Sequence, residues 1–127
     1  MSSGDAFGRL PQRLRDALLV TFGAAAAEIH LIERSWRVRW HPRMLATTRR
    51  NCIYLRGTLG NFAENPELVL HEYFHVIDQW NTGRLTRRGY LWELLMRGYA
   101  ANRFEIEARA FTAQKLHRFR QRLEAGR

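Results

Sequence analysis

The chain has 127 residues, 46% of them hydrophobic, and one cysteine. This length suits a single domain over residues 1–127 with one core, and the lone Cys52 excludes an internal disulfide and a cysteine zinc cluster. The net charge of +9 favours acidic partners or nucleic acid, but the arginines are spread along the chain with no nucleic-acid motif, so a solvated basic surface is the simpler account.

Residues 1–8 read as a loose, polar start without the apolar core of a leader, and no stretch approaches a membrane span. With a free thiol, this predicts a cytoplasmic protein with no membrane partner. A first helix is expected from Leu10 to Phe22, with Pro11 in its first turn and Gly23 at its end. Residues 28–33 could continue that helix or form a strand. Residues 36–40 alternate strictly between apolar and basic, the pattern of a half-buried strand, until His41-Pro42 breaks it. Met44–Thr48 and Cys52–Leu55 read as a hairpin closed by Arg49-Arg50-Asn51. Within it, Ile53, Tyr54 and Leu55 are the expected free edge, able to bond an extended peptide along its main chain.

The most informative stretch follows. Asn65 suits an N-cap, Pro66 the first helical position and Glu67 the positive end of the helix dipole. Val69, Leu70, Tyr73, Phe74, Val76 and Ile77 make this helix apolar on nearly every side except the strip of His71, Glu72, His75 and Asp78. Two histidines four residues apart lie on one face and can converge on one ion. Buried polar groups need partners, and a metal satisfies both imidazoles at once. Glu72, beside them, can take a proton from a water activated by that ion. This is the HExxH arrangement, with His71 and His75 as ligands of zinc and Glu72 as general base. Asn81-Thr82-Gly83 ends the helix.

A further helix is expected from Thr86 to Arg97, with Tyr90, Leu91, Leu94, Leu95 and Tyr99 as its apolar face and Gly98 closing it. A long final helix should run from about residue 102 to Leu123, with Phe104, Ala108, Phe111 and Phe119 in one stripe and a frayed basic end after Gln121. The fold class is therefore α+β, a hairpin or small antiparallel sheet packed on the HExxH helix and the final helix.

A catalytic zinc needs a third protein ligand. Asn81 and Asp78 stand where HExxHxxGxxH would have its third histidine and its glycine, so that pattern is absent. Asp78 could ligate, but it is better placed to orient an imidazole from behind. On the final helix Glu105 and Glu107 both flank the apolar stripe, and periodicity alone does not choose between them. Glu107, one turn from both Phe104 and Phe111, is the preferred ligand. Glu105 is left to a surface pair with Arg109 or a supporting place behind the ligands.

His71-Glu72-Tyr73-Phe74-His75 followed by Glu107-Ala108 on a second helix resembles the gluzincin clan of zinc metallopeptidases. The small size is similar to its minimal single-domain bacterial members, and the likeness covers about residues 44–113. The resemblance implies a zincin-like fold, a peptide or protein substrate, Zn2+ held by His71, His75 and Glu107, and Glu72 as the base. Two departures stand out. Phe111 occupies the place of an acid that orients a histidine ligand in larger members, and the downstream domain that supplies an oxyanion-stabilising His or Tyr is missing. Tyr99 and Arg103, with Tyr54 and Tyr90, are the available substitutes. The rival expectations are a zinc-stabilised module that binds an acidic protein or nucleic acid without turnover, and a metal-free helical domain carrying the motif by chance.

Overall fold

The computed structural model describes residues 3–36, 38, 45–99 and 102–125. Among these are six α-helices and a three-stranded mixed sheet, so the chain is α+β. The first helix, α1 (Ser3–Gly8), falls where the sequence suggested a loose start. Its Ala6 and Phe7, with Leu10 beyond it, are buried in the core, and that burial outweighs the poor helix propensity of a segment containing two glycines. Helix α2 (Gln12–Phe22) follows Pro11 and buries Leu14, Ala17 and Leu18. Gly23, at φ +80°, turns the chain out of it.

Strand β1 (His30–Ile32) resolves the ambiguity of residues 28–33 in favour of a strand. The expected strand over residues 36–40 lies mostly outside the described residues. Of its described members, Val38 is buried and donates its N–H to the Ser35 carbonyl in a tight turn. The hairpin forms as expected from β2 (Ala46–Arg49) and β3 (Cys52–Leu55), antiparallel, with Asn51 at φ 58° in its turn. Strand β1 pairs parallel with β3, His30 opposite Cys52, giving the order β1-β3-β2. Ile53, Tyr54 and Leu55 are therefore in the central strand, not on an edge. The three-residue β1 takes up the side of β3 that the sequence left open, and among the described residues the edges are β1 and β2.

A short helix α3 (Leu59–Ala63) leads into α4 (Pro66–Phe74), whose Asn65 side chain accepts the Leu68 N–H at 3.2 Å. The helix continues as a π-turn from His75 to Trp80, closed by the Asn81 N–H on the Val76 carbonyl at 2.7 Å. Helix α5 (Arg87–Arg97) is capped by Thr86 and ended by Gly98 at φ +76°. Helix α6 (Arg103–Ala125) runs past the expected fray at Gln121, because Phe119 is buried and Leu123 packs on the core.

Helix α4 packs along α6, with Tyr73 at the centre of the core between Phe22 and Phe62. The hairpin is tied to the end of the π-turn. Asn81 Oδ1 accepts the Asn51 N–H at 2.8 Å, and the Trp80 indole donates to Thr48 at 3.1 Å. These two bonds fix β2 alongside α4.

Candidate metal centre

His71 and His75 sit one turn apart on α4, rings edge to face with centroids 4.6 Å apart. Their Nε2 atoms are 3.1 Å from each other and 3.3 and 2.8 Å from the same oxygen, Glu105 Oε1. One atom from each residue lies within 4.8 Å of the other two, so the three could hold a metal ion. Two imidazoles and one carboxylate are a donor set that suits zinc and leaves coordination positions free. The Glu105 carboxyl is buried, which alone would raise its pKa. Hydrogen bonds and charge from the two histidines more than offset this and bring it down to about 2.

The carboxylate that reaches the imidazoles is thus Glu105, where the sequence preferred Glu107. The buried residues of α6 are Phe104, Glu105, Ala108, Thr112 and Phe119. At 100° per residue Glu105 falls about 50° from the centre of that arc and Glu107 about 110°. Weighting Phe111 rather than Thr112 tilts the apparent stripe toward Glu107. Thr112 can be buried because its hydroxyl donates to the Ala108 carbonyl at 2.8 Å, a local bond open to any helical threonine. Glu107 instead lies at the rim, held by both terminal nitrogens of Arg84 at 2.7 and 2.6 Å.

A second difference concerns the group behind His75. Gln79, fully buried, receives His75 Nδ1 at 2.6 Å and donates its own Nε2 to the Phe104 carbonyl at 2.9 Å. Because the amide nitrogen is committed to Phe104, Oε1 is the acceptor and His75 Nδ1 the donor, which turns Nε2 toward the cluster. Asp78 is the residue expected in this place from the spacing. A π-turn needs more than four residues per turn, so residue 79 rather than 78 comes under His75. Asp78 contributes its main-chain carbonyl to Thr82 and Arg84. The signal available in the sequence was a glutamine four residues after the second histidine.

Glu72 is buried beside the cluster, and burial raises its pKa against the opposing charges of His75 and His71. It borders two adjoining clefts of about 270 and 340 Å3, which share Ala46, Glu72 and Tyr99. Together they form a groove along β2, with Thr47, Thr48 and Arg49 on one wall and Leu85, Tyr90, Leu91 and Leu94 on the other. Tyr99 faces Glu72 and Glu105, and burial, then the charges of Glu105 and Glu72, push its hydroxyl up to about 12. Arg103 does not line the groove; it lies over the Phe104 ring and 3.8 Å from Glu93. Tyr54 also lies outside the groove lining, on the central strand.

No protein-family model matches the chain, and neither a curated protein nor a solved structure matches it significantly.

Proposed function

We propose that the chain is a zinc-dependent peptidase in which His71, His75 and Glu105 hold the ion and Glu72 is the general base. The observation that carries this reading is the buried Glu72 carboxylate next to a His-His-Glu cluster, at the junction of a groove that follows a sheet edge. Bound zinc would lower the pKa of a water at its open position and polarise the scissile carbonyl. Strand β2 offers main-chain groups to an extended substrate, and Leu85, Leu91 and Leu94 receive an apolar side chain opposite it. Glu72, its affinity for protons raised by burial, accepts the proton of the attacking water and passes it to the leaving amine. Tyr99 and Tyr90 are the hydroxyls that face the reacting region, and Tyr99 is the better placed to donate to a developing oxyanion because it stands beside Glu72 in both clefts.

The test is Glu72→Gln with elemental analysis and a peptide-library digest. The variant keeps one zinc per chain, and its cleavage rate falls by about 100-fold or more. Cleavage at the wild-type rate would remove Glu72 from its role. A zinc-stabilised module without turnover is the alternative, favoured by Arg49 and Arg87 beside the groove and by the net charge of +9. Zinc-loaded wild type that cleaves no peptide, yet binds an acidic chain with steep salt dependence, would establish it.

A further inference from the structure

We propose that the outward face of α5 docks on an anionic lipid surface. Leu91, Trp92, Leu95 and Met96 on this helix are 55%, 63%, 74% and 63% exposed. At 100° per residue the four fall within an arc of about 140°, with Arg88 inside it and Arg87 about 40° beyond its Leu91 edge, both exposed in the first turn. The only acid of α5, Glu93, is on the opposite side, buried, and accepts the Arg103 N–H at 3.2 Å. The outward face therefore carries four large apolar side chains and two cations with no negative charge among them. Arg84, Arg97 and Arg103 around it are engaged by Glu107 or Glu93, whereas Arg87 and Arg88 are in no ion pair among the described residues.

Large apolar side chains clustered on an exposed helix face mark a contact surface, and the charge beside them selects the occupant. A second copy is disfavoured, because it would bring together two faces that carry arginines and no acid, on chains of net charge +9 each. Trp92, Leu95, Met96 and Arg88 project outside the groove lining, while Leu91 and Arg87 also border it. A fluid lipid surface accepts such protrusions without a matched shape, tryptophan favours the headgroup level, and arginine pairs with lipid phosphates. The absence of a membrane-spanning helix among the described residues concerns a different arrangement from a helix lying flat in the interface. None of these residues is a candidate metal ligand, and although Leu91 and Arg87 also border the groove, Trp92, Leu95 and Met96 do not, so the proposal does not depend on the peptidase reading.

Co-sedimentation of the full chain tests it, with vesicles of phosphatidylglycerol and phosphatidylcholine against vesicles of phosphatidylcholine alone. The anionic vesicles should bind at least about tenfold more protein, and added salt should weaken the binding. Leu95→Asp with Met96→Asp should lose about tenfold or more while keeping the wild-type melting temperature, since both side chains are exposed. Arg87→Gln and Arg88→Gln should each cost about fivefold. Brominated lipid should quench a share of the tryptophan emission that Trp92→Phe removes. Failure to bind anionic vesicles would overturn the proposal. So would binding that survives the two aspartates, which would be charge alone, or a dimer that those aspartates dissolve and lipid does not.

Discussion

Removing the Glu105 carboxylate takes away an acceptor shared by two imidazoles, whereas removing Glu107 releases a surface arginine. The first is 4% exposed in its side chain and the second 36%. Glu105→Ala should therefore lower zinc affinity by more than about 100-fold, beyond what the loss of an outer partner costs. Glu107→Ala should leave zinc affinity nearly unchanged and cost stability only about 0.5 kcal/mol, the worth of a solvent-exposed ion pair. Competition titration with a chromogenic chelator separates the two, and the reverse order would return the ligand role to Glu107. Gln79→Leu keeps the shape and removes the acceptor for His75 Nδ1. Its zinc affinity should drop by about 10- to 100-fold with all three candidate ligands intact. At this scale the convergence of His71 and His75, with Glu72 beside them, was legible from spacing alone. Glu105 was not, because a two-residue choice on one helix depends on which small polar residue is buried against the neighbouring helix, and Thr112 gives no sign of that in a hydropathy pattern.

Helix α5 forms one wall of the groove yet buries only one residue, Glu93. That carboxylate accepts the main-chain N–H of Arg103 and lies 3.7 and 3.8 Å from the Arg97 and Arg103 side chains. It thus joins α5 to the first turn of α6, two residues before Glu105. Glu93→Ala should cost about 2 kcal/mol, as the loss of a buried charged acceptor does. Limited proteolysis should then cut between α5 and α6 before any other site. A variant that resists protease as the wild type does would mean that other contacts hold α5. The cap of α4, the stop of α5 and the hairpin could all be read in the sequence because each is written in local residues: Asn65-Pro66, Gly98 and the Asn51 turn. Strand β1 and helix α1 could not. Three residues are too few to show a period, a parallel partner lies some twenty residues away in sequence, and α1 is helical only because the core covers Ala6 and Phe7. The missing β1 is what moved the expected free edge onto β3 instead of β2.

For the molecule as a whole, the relation between the metal site and the core decides how the protein responds to a chelator. The continuous core takes Val69, Leu70, Tyr73 and Val76 from α4, together with α1, α2, the sheet and Phe119. His71, Glu72 and His75 lie on the other side of this helix, where Glu105 of α6 meets them beside the groove. Without metal the imidazoles still have Glu105 and Gln79 as partners, so the cluster is not left as unpaired buried charge. Stripping zinc should then lower the melting temperature without unfolding the chain. At a free zinc concentration about 100 times Kd, binding contributes about 2.7 kcal/mol, and for a domain of this size that corresponds to roughly 10 °C. Differential scanning calorimetry with and without EDTA measures the shift, and far-UV circular dichroism at 25 °C should show the helical signal intact in both. His75→Ala should melt no higher than the chelated wild type and should not respond to zinc. Loss of the helical signal on chelation would instead make the ion a folding requirement, as in small domains whose cores cannot stand alone. That outcome would shift the balance from a catalytic site set on a finished fold to a structural one.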